Sequence, residues 1–178
     1  MEFYPEGMNA ELDRQFTTPE ALRRAMMQGS VLESRVLLCD REHNLHVDLG
    51  AMRGIIPREE GAVGIDDGTV RDIALISKVG KRVCFSILGF QREDDGPFTA
   101  ILSRRAVQLR CKAELKQDLN QLVQTMISET KIQQNGQYFM IKAYMVQMLV
   151  LILRQIHGEE KQENHGFVFE SRSKGYVV

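Results

Sequence analysis

The chain has 178 residues, 43% of them hydrophobic and 26% charged, enough for one ordinary domain or a small barrel with a helical appendage but not for two large domains. Lysine and arginine number 23 against 24 aspartate and glutamate, a formal net charge of -1. This rules out a uniformly basic domain and confines any phosphate contact to a local patch. Cys39, Cys84 and Cys111 are odd in number and widely spaced, without zinc-ligand spacing, and are read as reduced, mostly buried thiols. The opening residues carry acids where a signal peptide needs a basic region and an apolar stretch, so a cytoplasmic location is expected. The longest apolar run, Ala143 to Leu153, is too short for a bilayer and is interrupted by Gln147, so it needs a protein partner rather than a membrane.

Residues 1–29 read as an N-terminal extension ending in a short helix. Thr18 serves as N-cap, Pro19 takes the first helical position, Glu20 is in the first turn, and Ala21, Leu22, Ala25 and Met26 form one apolar face before Gly29. From Ser30 the hydrophobic period becomes two. Strands are expected at Val31–Cys39, Leu45–Leu49, Met52–Ile56 (stopped by Pro57), Arg82–Phe90 and Phe98–Ser103. Between the third and fourth, Ile73–Ile76 could be a helical turn or a short strand. Five short strands with one long excursion outline a five-stranded Greek-key barrel over 30–106. Beyond it Leu115, Leu119, Leu122, Val123, Met126 and Ile127 share a stripe. Gln134-Asn135-Gly136 then breaks the chain before a second helix near Gln137–His157, making 107–158 a helical hairpin. Residues 159–178 are a polar tail. The fold class is therefore α+β, an OB-type barrel followed by a hairpin.

The blocks Gly29-Ser30-Val31-Leu32-Glu33-Ser34-Arg35-Val36, His46-Val47-Asp48-Leu49-Gly50, Gly54-Ile55-Ile56-Pro57, Val79-Gly80-Lys81-Arg82-Val83 and Leu102-Ser103-Arg104-Arg105 resemble, in order, the ribosomal S-one-type RNA-binding domain. Phe3-Tyr4-Pro5-Glu6-Gly7 and Gly54 to Gly61 are more particularly similar to divergent S-one-like proteins of clostridial type, which would make the protein bacterial. The resemblance implies an OB fold with a nucleic-acid face on the second and third strands, where aromatics stack on unpaired bases. His46 and Ile55 stand where the family commonly has aromatics, which reduces that platform to one imidazole. Leu122 to His157 resembles the helical dimerisation segment of AraC-type regulators, and implies a homodimer.

The expected nucleic-acid contacts are His46 as the stacking group, with Arg53, Arg58, Lys81, Arg104 and Arg105 as phosphate contacts. Each has a plainer alternative: a solvated charge at a strand end, and for the cations cancellation by Glu59, Glu60, Asp66 and Asp67. Met145, Met148, Leu149, Ile152, Leu153 and Ile156 recur at spacings of three and four and form the expected self-association face. No histidine has a nucleophile or orienting carboxylate in a recognisable pattern, the acid pairs fall in turns, and Gly61-Ala62-Val63-Gly64 lacks the ending of a phosphate loop. No enzyme, metal or cofactor is expected. The reading is RNA or single-stranded nucleic-acid binding by the barrel with self-association by the hairpin. The alternative is a dimerisation module of a transcription regulator whose barrel binds no nucleic acid.

Overall fold

A computed structural model describes residues 18–92, 96–131 and 135–163, those beyond Arg154 as backbone only. The string Phe3 to Gly7, the turn residues Glu93 to Asp95, the side chain of Ile156 and residues 164–178 lie outside the described residues.

Helix α1 (Pro19–Met27) starts where its capping chemistry places it: Thr18 Oγ1 accepts from the Ala21 N–H at 3.2 Å, satisfying one of the first-turn donors. Leu22 and Ala25, three residues apart, are buried, and α1 packs against the fourth strand. Gly29, at φ +59°, turns the chain out of the helix.

The two-residue period then yields β1 (Leu32–Cys39), β2 (Leu45–Asp48), β3 (Arg53–Ile56), β4 (Arg82–Arg92) and β5 (Phe98–Ser103), each within two residues of expectation. The pairs β1–β2, β2–β3, β1–β4 and β4–β5 are antiparallel and β3–β5 is parallel. They close a barrel in the order β1-β2-β3-β5-β4. Alternation puts Val36, Leu45, Val47, Ile56, Val83, Phe85, Ala100 and Leu102 inside, with Leu22 of α1 and Ile65 and Leu75 of the β3–β4 excursion completing the core. The segment Ile73–Ile76 is a single helical turn, α2, of which only Leu75 is buried. A register shift in β1 accompanies two consecutive exposed leucines, Leu37 and Leu38, because the extra residue breaks the in-out alternation. The three cysteines are half-buried rather than buried.

The chain divides into two compact units, Met1–Lys116 and Gln117–Val178. Helix α3 (Arg104–Lys131) starts directly from β5. Its first turns belong to the barrel unit: Val107 is buried, Gln108 accepts from the Val63 N–H at 2.8 Å, and Arg110 donates to the Gly29 carbonyl at 2.9 Å. The second unit holds the rest of α3 and α4 (Gln137–Glu163), joined around Gly136, whose φ of +98° suits a residue without Cβ. Gln137 Nε2 donates to the Glu129 carbonyl at 2.8 Å across this junction. Leu119, Leu122 and Met126 of α3 and Ile141, Tyr144, Met148 and Leu151 of α4 are half-buried stripes. No described side chain of this unit is buried. Among the described residues no helix is long and apolar enough to cross a membrane.

Candidate nucleic-acid interface

Strand β2 sets His46 on the outer side of the barrel between buried Leu45 and Val47. It does not stand free. Its Nε2 lies 3.0 Å from Asp40 Oδ2, the hub of the β1–β2 turn. Asp40 also accepts from the N–H groups of Glu42 and Asn44, both at 2.9 Å, and from Asn44 Nδ2 at 3.1 Å. Partial desolvation pushes the Asp40 carboxyl upward, but the bond from His46, followed by those from Asn44 and Glu42, outweighs it and holds the carboxyl at about 2. Asn44 in turn accepts from the Arg58 N–H at 3.0 Å, and Arg58 Nε donates to Asp72 at 2.7 Å. The face expected to stack bases therefore carries a polar network, with His46 as one of its donors. Beside it, burial first and then the charges of Asp40 and Asp72 push the Cys39 thiol up, which keeps it protonated and poorly nucleophilic.

The cations at the end of β5 are likewise engaged. Arg104, expected as a phosphate contact, is 2% exposed and donates through Nη1 to the Gly61 carbonyl at 2.6 Å. A guanidinium buried this way fastens the loop after β3 and is not offered to a ligand. Arg105 pairs with Asp66 at 3.2 Å and Glu60 at 3.8 Å. Ser103, between core residue Leu102 and Arg104, donates to Glu60 and accepts from the Ala106 N–H, capping α3. Glu60 and Asp66, far from Arg105 in sequence, reach it because the β3–β4 excursion folds back onto the start of α3. Lys81 is half-buried at the β1–β4 junction, where its carbonyl accepts from the Val36 N–H.

Arg53 behaves differently. It is exposed at the start of β3, opposite Asp48 in register, and among the described residues its side chain makes no hydrogen bond or ion pair. It lines a groove of about 500 Å³ with Arg23, Asp48, Met52, Phe90 and Phe98, at the end of the barrel where β2 turns into β3. Arg23 is also exposed and without a partner among the described residues. Phe98 is 45% exposed, and the Arg92 guanidinium lies 5.6 Å from its ring centroid. The sequence reading missed Arg23, Phe90, Arg92 and Phe98. A signal existed in Phe98, which shares the inward parity of Ala100 and Leu102 but sits at the first residue of the strand, where the barrel wall ends and an inward aromatic meets its rim.

The chain matches no known family model and no curated protein.

On the self-association face, Met145, Leu149, Ile152 and Leu153 are exposed while Met148 is half-buried, so Met148 belongs to the inner stripe of the hairpin. Tyr138, Phe139, Val146 and Val150 extend the exposed surface. Tyr138 and Phe139 meet edge to face at 6.1 Å, with Lys142 Nζ 4.3 Å from the Tyr138 centroid.

Proposed function

We propose that the barrel is an OB-type module that binds RNA or another single-stranded nucleic acid without catalysis. The observation that carries this reading is Arg53, a solvent-exposed guanidinium on β3 with no partner among the described residues, on a closed five-stranded barrel whose other candidate cations at Arg58, Arg104 and Arg105 are committed to internal partners. The strand order and the long β3–β4 excursion suit the OB class, whose β2–β3 surface and neighbouring loops take single strands. With a net charge of -1, attraction is local, so few phosphates are neutralised. Titration of a labelled single-stranded RNA should give binding at low salt that weakens on a log–log salt plot with a slope of about -0.7 per phosphate contacted. Absence of binding at low salt overturns the reading.

A second reading is supported by a separate observation, the apolar side chains that α4 leaves in water. In it the hairpin joins two copies of the chain, alongside strand binding or, as in a regulator's dimerisation module, instead of it. Solution mass and strand titration on the same preparation separate the two readings.

A further inference from the structure

We propose that the groove at the β2–β3 end of the barrel seats one nucleotide of a single strand, its base against Phe98 and its backbone phosphates on Arg23 and Arg53. The inference rests on the strand-binding reading and moves its centre away from His46, along the same β2–β3 ribbon to the pair Asp48 and Arg53.

Three features of the groove point to this occupant. Its volume, about 500 Å³, falls within the range of about 300 to 1,000 Å³ typical of small-molecule sites, which is room for a base and its sugar. Its floor is apolar and aromatic, from Met52, Phe90 and Phe98. Arg92 Nε is held by the Gly96 carbonyl at 3.1 Å, which keeps its guanidinium by the Phe98 ring. A cation there and a base on the ring's open surface can be accommodated together, since both are attracted to a π face. Among the described residues its charge, finally, is weighted towards the cations. Arg23 and Arg53 lack partners among the described residues, and the acid lining the groove, Asp48, already accepts from the Gly50 N–H at 2.8 Å. Two unpaired guanidiniums beside an apolar floor match a ligand carrying phosphate on one side and a planar ring on the other. The contrast with the β1–β2 turn is chemical: there His46 Nε2, the Asp40 carboxylate and the Asn44 side chain bond to one another and to the chain around them.

The test is fluorescence anisotropy of the full chain with a labelled single-stranded RNA of about 10 nucleotides, within the site size of one OB barrel. Phe98→Ala is expected to weaken binding about 5- to 150-fold, the loss associated with one stacked base, and Phe98→Tyr to retain it. Arg23→Gln and Arg53→Gln should each weaken binding and flatten the log–log salt slope by about 0.7. Both arginines are exposed, so these variants carry the test even if Phe98→Ala disturbs folding. A wild-type chain that binds the strand while all three substitutions leave affinity and salt slope unchanged overturns this inference and leaves the general reading standing. A wild-type chain that does not bind overturns both. Displacement of the strand by an equal concentration of uridine monophosphate would assign the groove to a free nucleotide and overturn the strand proposal.

Discussion

Two polar residues show how little of this barrel's charge is available to a ligand. Asp40 is about a third exposed, yet it organises the whole β1–β2 turn, including His43 at φ +64°. Asp40→Ala is expected to cost about 1 to 2 kcal/mol, allowing for solvent screening of a site this open. Because its folded pKa is depressed to about 2 from an ordinary 3.8, the contribution is full at neutral pH and fades as pH falls through that window. Urea melts of wild type and variant should therefore converge between about pH 4 and pH 2, and a difference that persists unchanged to pH 2 would refute the assignment. Arg104 is the opposite case, a cation taken wholly inside. Arg104→Ala leaves the Gly61 carbonyl without its donor and removes a buried stem, so a loss of about 2 to 4 kcal/mol is expected by denaturant titration. A loss below 1 kcal/mol would mean that water replaces the bond.

At the level of strands and helices, the barrel's closure rests on close approaches that only small residues permit. A Cβ on Gly54 in β3 would lie 2.5 Å from Leu102 Cδ1 and 3.2 Å from Leu49 Cδ1. β3 reaches β5 at Gly54 opposite Ala100, so two small residues meet where the parallel pairing closes the sheet. Gly54→Val should destabilise by about 1 to 3 kcal/mol through overpacking, read as a lowered thermal midpoint. An unchanged midpoint would show that Leu102 can move aside freely. The hairpin lacks this density: its stripes are half-buried at best, so its helices owe less to a core of their own.

On the scale of the whole molecule, the two units pose different problems. The barrel has a buried apolar core and offers a small basic and aromatic groove. The second unit leaves Phe139 at 75%, Val146 at 61% and Leu149 at 56% exposure on one helix. Each such side chain gains up to about 1.5 to 3 kcal/mol on full burial, a sum comparable with a domain's entire stability margin. The proposed second copy of the chain would supply that burial with matching chemistry. Light scattering should then give twice the chain mass of 20.3 kDa, and Leu149→Glu should return it to the single-chain value. A wild-type chain already monomeric at high concentration would defeat the expectation.

Period and punctuation in the sequence determined the elements. Thr18-Pro19 opens α1, the two-residue alternation of residues such as Leu45 and Val47 marks the strands, and Gly136 separates the helices, because caps, turns and amphipathic faces are local and need no knowledge of distant contacts. The candidate site was legible only at Arg53. What Arg58, Arg104 and Arg105 do is decided by Asp72, Gly61 and Asp66, and His46 answers to the Asp40 turn. A charged side chain is free or committed according to which residues the fold brings beside it, and the long β3–β4 excursion that folds onto α3 has no periodic signal announcing its partners. The groove is a tertiary product for the same reason: Arg23, Arg53 and Phe98 come from a helix and two strands far apart in sequence, and only closure of the barrel gathers them at one rim.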